Sequence, residues 1–249
     1  MRLVAPRLGQ AGLTDDAEVS VKLSALGLGL KSGEEIALRH AREVCAAAAT
    51  VGAKVTLDME EHRTVDAALG IGNTLRQDFP LTGNVLQANL RRTEHDLATL
   101  AQSYAAEAPA RIRYVKGAYK ESVQVAFRSK KEVDRAYQRG IDRLMSAPGL
   151  RPMLGTHDPA MLDYGLVAAD AAGRTTTAWE MQLLFGVRPD LQQRYAAAGQ
   201  TVRVYLPFGR DWYPYFMRRL AERPANLAFF LRSLRSTRSR IARNSASVG

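Results

Sequence analysis

The chain has 249 residues and one cysteine, Cys45. A disulfide framework is therefore excluded, and Cys45, on an apolar helical face, is expected simply to pack there. The four histidines are scattered, and no Cys/His group has the spacing of a metal site. Long apolar runs are missing as well; none reaches the ~18 residues of a spanning helix. No strand-like run leads into a glycine-rich loop of Rossmann or P-loop spacing, so the common nucleotide cradles are absent. Aromatic residues are only 7% of the chain. They do not interleave with the arginines, so no stacking platform for nucleic acid is expected. Acidic residues are in the minority, 25 against 35 lysines and arginines, for a formal charge of +10. Much of that excess sits in "RSLRSTRSRIAR" (232–243), which has five arginines and no acid. Such a block reads as a solvated tail or as an electrostatic foot for an acidic surface. The first residues, "MRLVAPRLGQAG", show no signal-peptide core.

Hydrophobic residues make up 46% of the chain, enough for a substantial core. They fall into short runs separated by longer periodic stretches. The runs are "EVSVKLSAL", "KVTLDM", "NVLQANL", "RIRYVKGAY", "PMLGTHD", "TTTAWEMQLL" and "TVRVYLPFG". Stretches such as 33–53 and 130–149 repeat apolar residues every three or four positions and stop at glycine, as helices do. Strands alternating with helices imply βαβ units and a parallel sheet. Seven strands at this length and rhythm point to a (β/α)8 barrel, with a doubly wound open sheet as the rival.

A polar or ionisable residue stands where each apolar run ends: Lys22, Asp58, Gln87, Arg113 with Lys116, His157, Gln182 and Tyr205. Charge inside a strand is costly unless it is paired or used. In a barrel the C-terminal strand ends meet on one face, which carries the active site. After the last run come Arg218 and Arg219, with Glu222 four residues after Arg218. Two consecutive helical arginines point about 100° apart and can grip one carboxylate from two directions.

These stretches are similar, in order, to those of the proline dehydrogenase family. The family comprises flavoenzymes with a distorted (β/α)8 barrel, found also as a domain of the bifunctional proline utilisation A proteins. The resemblance runs from Val19 to Asn226 and rests on "VSVKLSALG", "VTLDMEEH", "VLQANLRRTEHDL", "RIRYVKGAY", "THD", "EMQLLFGV" and "VYLPFGRDWYPYFMRRLAERPAN". It implies FAD-dependent oxidation of L-proline to 1-pyrroline-5-carboxylate by hydride transfer from C5 to flavin N5. That is the first step of proline catabolism, with electrons passed to a membrane quinone. By resemblance, Arg113 is the cation near the flavin N5 edge and Gln87 bonds the ring edge. The backbone of Val115, Lys116, Gly117 and Ala118 lets the cofactor approach, with Thr156, His157 and Met59 around it. Lys22, Arg218 and Arg219 bind the substrate carboxylate, and Glu222 pairs with Arg218. Tyr205, Tyr215 and Tyr119 wall the pocket. Asp58 either pairs with and orients Lys22 or Arg218 or takes the amine proton; the residues alone leave both roles open.

The front departs from the family pattern, which has helices and a first strand before "VSVKLSALG". The expectation is therefore a distorted (β/α)8 barrel lacking its N-terminal helices and first strand, with three competing explanations: a reading frame that extends upstream of Met1, which is favoured, a shortened relative, or a partner chain that replaces the missing strand. Its parts are a short lead (1–18), the barrel (19–231) and a basic tail (232–249). Two other functions stay open: a Schiff-base lyase or aldolase using Lys22 or Lys116, and an inactive barrel that binds a partner. The expected location is cytoplasmic, peripheral to the inner face of the plasma membrane through the tail, each cation near anionic lipid contributing about 1 kcal/mol. Deleting residues 232–249 is expected to weaken binding to phosphatidylserine vesicles in a flotation assay; unchanged binding removes the tail from the account.

Overall fold

The computed structural model describes residues 4–13 and 16–207. The chain divides into two compact units, Met1–Val204 and Tyr205–Gly249. All described helices and all but the last residue of the sheet belong to the first. After a short helix α1 (Val4–Gln10), strands and helices alternate. They are β1 (Glu18–Lys22), α2 (Gly33–Ala49), β2 (Lys54–Asp58), α3 (Val65–Asp78), β3 (Thr82–Gln87), α4 (Thr93–Ser103), β4 (Ala110–Val115), α5 (Lys130–Ser146), β5 (Leu150–Gly155), α6 (Pro159–Ala171), β6 (Glu180–Leu184), α7 (Pro189–Ala197) and β7 (Val202–Tyr205). The sheet order is β1-β2-β3-β4-β5-β6-β7, with parallel register in each pair from β1 to β6. This is the α/β alternation the sequence predicts. Each strand overlaps its expected run; β3, β4 and β5 begin one or two residues before theirs, and β1 to β5 and β7 stop short of their C-terminal ends.

The helices cover one face of the sheet. In α2 the buried residues Ala37, Ala41, Cys45 and Ala48 lie three or four apart and form one stripe. Cys45 is packed as expected, its Sγ 3.6 Å from the Thr82 hydroxyl. A capping box starts α5: the Ser129 side chain accepts from the Glu132 amide, and Glu132 reaches back to the Ser129 amide. The helix ends at Ser146, before Pro148. Its inner face carries Tyr137, Ile141 and Leu144, all buried. Tyr137 stacks on Tyr114 of β4 with ring centroids 4.7 Å apart, and each phenol donates to a backbone carbonyl (Tyr137 to Tyr114, Tyr114 to Ala136, both 2.9 Å). Both polar ends are satisfied, so the pair is buried without an orphaned hydroxyl.

The opposite face of the sheet is lined by charge. Glu18 of β1 accepts from Arg111 of β4 at 2.6 Å and from Arg113 of β4 at 2.8 Å, forms an ion pair with Arg203 of β7 at 3.1 Å, and Thr56 of β2 also donates to it. Glu180 of β6 takes a two-pronged grip from Arg203 at 2.8 and 2.9 Å. Strands β1 and β4 are three places apart in the sheet, and β1 and β7 lie at its two ends. Contact between their side chains requires the sheet to curl around this face as a barrel wall does. Period-two alternation puts Glu18 and Ser20, Arg111 and Arg113, and Glu180 and Gln182 on the inner side. Val55, Leu57, Ile112, Tyr114 and Met181 form the buried apolar face beneath the helices.

Burial alone would raise the Glu180 carboxyl, but the Arg203 bonds and charge, the Arg111 charge and the Gln182 amide bring it down from 4.5 to about 2. A depressed carboxyl stabilises the fold above its unfolded value, and that stability is lost as pH falls toward the folded value. Thermal melts should therefore show Tm falling between about pH 4.5 and pH 2. Glu180→Gln should remove that part of the acid transition. It should also destabilise the fold near neutrality, by less than the ~3–5 kcal/mol of an orphaned buried charge, since Arg203 loses one of its two buried carboxylate partners and keeps Glu18.

Candidate active site

The strand ends that the sequence marks come together. Lys22 ends β1 and Asp58 ends β2, and the two are direct partners in the parallel register. Beneath them Arg113 reaches across from β4. Its Nη1 donates to Asp58 at 2.7 Å and to the Ser20 hydroxyl at 2.9 Å, its Nη2 donates to Glu18, and its Nε donates to the side-chain Oε1 of Gln182. The guanidinium is thus held from β1, β2 and β6 at once, and its plane is fixed before any ligand arrives. Burial pushes the Asp58 carboxyl up, against the opposing pull of the Arg113 and Lys22 charges. The arginine bonded to Asp58 among the described residues is Arg113, a partner the sequence reading does not name; Arg218 lies outside the described residues.

The loops above the strands are tied to each other. Gln87, which ends β3, is buried and donates its Nε2 to the Glu60 carbonyl at 2.8 Å. The Glu60 carboxylate in turn accepts from the Ser24 amide at 3.0 Å and its hydroxyl at 2.7 Å. Met59, between Asp58 and Glu60, is buried in the core. The carbonyls of Val115 and Lys116 accept from the amides of Ala88 and Asn89 at 2.8 and 2.9 Å, so the start of the loop after β4 is pinned to β3. Gly117 and Ala118 follow with exposed backbone. Thr156 is buried and its hydroxyl accepts from the Asp158 amide at 3.2 Å. His157 accepts at Nε2 from the Leu184 amide at 2.9 Å, which joins the ends of β5 and β6.

Three placements refine the sequence reading. The Lys116 ammonium lies against Asp134 and, at 2.7 Å, against Asp158, so its nitrogen is occupied by two carboxylates. That position suits a strut between α5 and α6 and disfavours Lys116, one of the two lysines considered for a Schiff base. At Gly117 (φ 106°) an added Cβ would lie 2.0 Å from the Asn89 side-chain oxygen. The glycine is thus needed first for an internal fit, whatever approaches from outside. Tyr119 lines an open groove of about 550 Å³ beside the β1 and β2 loops, with Ser24, Leu30, Glu60 and Arg63. Tyr205 ends β7. Arg218, Arg219, Glu222 and Tyr215 lie outside the described residues, as does the basic tail.

Sequence reasoning missed Glu18, Ser20, Glu60 and Asn89. The signal for the first two was present: "EVS" alternates in step with "RIR" and "EMQ", and all three place polar groups inward. Glu60 and Asn89 act from loops, where no period announces them.

A sequence profile described as proline dehydrogenase matches residues 5–232. The chain belongs to the proline dehydrogenase family. A proline dehydrogenase of Deinococcus radiodurans is 42% identical over 219 residues, covering 87% of this chain and 69% of that one. Proline dehydrogenase 1 of Bacillus subtilis is 37% identical over 219 residues, covering 88% and 70%. Among solved structures, proline utilisation A of Bdellovibrio bacteriovorus superposes with a TM-score of 0.73 at 26% identity over 81% of this chain. A Bradyrhizobium japonicum proline utilisation A variant gives 0.74 at 22% identity over 88% of this chain. The chain spans about a quarter of the length of these two proteins, 24% and 25%. The seven-stranded sheet is therefore the proline dehydrogenase version of the distorted TIM barrel, as the resemblance implies.

For this family member, Gly117→Ala is expected to cost about 2–4 kcal/mol in chemical denaturation, summing a positive-φ side chain and an overpacked contact. Adding Asn89→Ala should recover the contact share and leave the backbone share. A cycle in which the two changes simply add removes Asn89 as the reason for the glycine.

Proposed function

We propose that this chain oxidises L-proline to 1-pyrroline-5-carboxylate with FAD as its cofactor, and that a membrane quinone takes the electrons onward. The observation that carries the proposal is the fixed Arg113 guanidinium beneath Lys22 and Asp58, at the C-terminal strand ends of a proline dehydrogenase barrel. The residues present suit a flavin. A fixed cation favours a ring that gains negative charge on reduction. The Gln87 side chain is aimed by its bond to Glu60. The exposed backbone at Gly117 and Ala118 offers amide groups with little side chain in the way. FAD, when bound, supplies the acceptor for the hydride that leaves C5 of proline.

The protein's own part is positioning and charge. Lys22, Arg218 and Arg219 hold the substrate carboxylate, with Glu222 steadying Arg218 and with Tyr205 and Tyr119 limiting water. Asp58 holds Arg113 in plane, and its raised carboxyl makes it a fit acceptor for the proton a bound secondary ammonium must lose. Val115, Lys116, Thr156, His157 and Met59 shape the cofactor's bed through the backbone bonds and packing described above. The basic tail (232–249) brings the protein to an anionic membrane surface where the quinone resides.

The protein purified with FAD should be yellow, and anaerobic L-proline should bleach its visible absorption. A protein that takes up FAD but keeps its colour with proline is bound to another substrate or to none. Arg219→Ala should raise the apparent KM for proline by about tenfold or more, the scale of a lost charge-assisted bond. An unchanged KM places the carboxylate elsewhere.

A further inference from the structure

The loop after β4 contains a feature the proposed chemistry does not use. Lys120, Ser122 and Val123 are exposed, as expected of a surface loop, yet the carboxylate arm of Glu121 between them is only 6% exposed. A glutamate on such a loop is cheapest in water, so its burial needs compensation. The compensation comes from one residue. The His62 backbone amide donates to Glu121 Oε1 at 2.8 Å, and His62 Nδ1 lies 2.6 Å from Oε2. His62 opens the short 3-10 turn His62–Thr64, four residues after Asp58.

The pair spans a gap in the loop's fastening. On the near side Lys116 is held by Asn89, Asp134 and Asp158. On the far side the Arg91 amide donates to the Val125 carbonyl and the Phe127 amide to the Asn89 carbonyl, at 2.9 and 2.8 Å. Between those anchors Gly117 has a positive φ of 106°, and the Glu121 side chain bonds across to the β2 loop. Since Gln87 is tied to Glu60 in that same β2 loop, the ends of β2, β3 and β4 become one connected rim.

We propose that Glu121 is a positioning residue: its buried carboxylate, clasped by His62, sets the loop that carries Gly117 and Ala118 against the β2 loop. What that loop touches rests on the flavin reading above; the clasp itself rests on its geometry. The test compares wild type, Glu121→Ala, Glu121→Gln and His62→Ala, with Lys131→Ala as an exposed control. Two quantities are measured: deuterium exchange of the 117–122 amides without added cofactor, and FAD affinity by quenching of flavin fluorescence. Glu121→Ala should speed exchange and weaken FAD binding, each by about tenfold or more, as loss of two charge-assisted bonds implies. His62→Ala keeps the backbone donor and Glu121→Gln keeps an acceptor, so both should fall between; these milder changes also serve if Glu121→Ala does not fold. Wild-type exchange in Glu121→Ala overturns the clasp. Faster exchange with unchanged FAD affinity overturns its role toward the cofactor. If wild type itself binds no FAD, the flavin reading fails, and the exchange arm still decides whether Glu121 holds the loop.

Discussion

One carboxylate organises the inner face of this protein. Glu18 stands on the first strand of the sheet and forms ion pairs with three guanidinium groups, two on β4 and one on β7. Among the described residues the edge strands β1 and β7 are not paired with each other by backbone hydrogen bonds. Side-chain charge links them instead. Such a solution is expensive in principle, because each ion must leave water. It becomes tenable because the groups form a network rather than isolated pairs, with Thr56, Ser20 and Gln182 supplying further bonds. Its use is specificity of shape: apolar side chains would fill the same space but would not dictate which strands face each other.

The same network carries the functional end. Arg113 belongs both to the Glu18 cluster and to the strand-end set with Asp58, so the cation proposed to face the flavin is anchored from below. Glu180 shows the electrostatic consequence one layer away, with its carboxyl drawn down to about 2 by Arg203 and Arg111 despite burial. Asp58, nearer the open face, goes the other way because desolvation outweighs its cations. Two carboxyls a few residues' height apart are thereby set to opposite tendencies by their surroundings, which is how one fold separates a structural anion from a group able to hold a proton. Above them, loop contacts rather than strand geometry finish the rim: Ser24 to Glu60, Glu60 to Gln87, and Glu121 to His62.

The amino-acid sequence by itself determined the alternation of strand and helix, the approximate position of every strand, and the polar residues at or near the strand ends. These follow from local rules: period two in strands, three to four in helices, and capping or breaking residues between them. The family was legible too, because motifs such as "RYVKGAY" stay contiguous in the chain. Tertiary structure alone decided who meets whom. Glu18 touches Arg111 and Arg113 across ninety-odd residues of sequence, and no local pattern specifies such a partner. It also decided meanings: Lys116 became a strut between two aspartates, and Gly117 proved necessary for Asn89. An ionisable side chain announces only that it can carry charge; what that charge does is set by the groups that folding brings within about 3 Å of it.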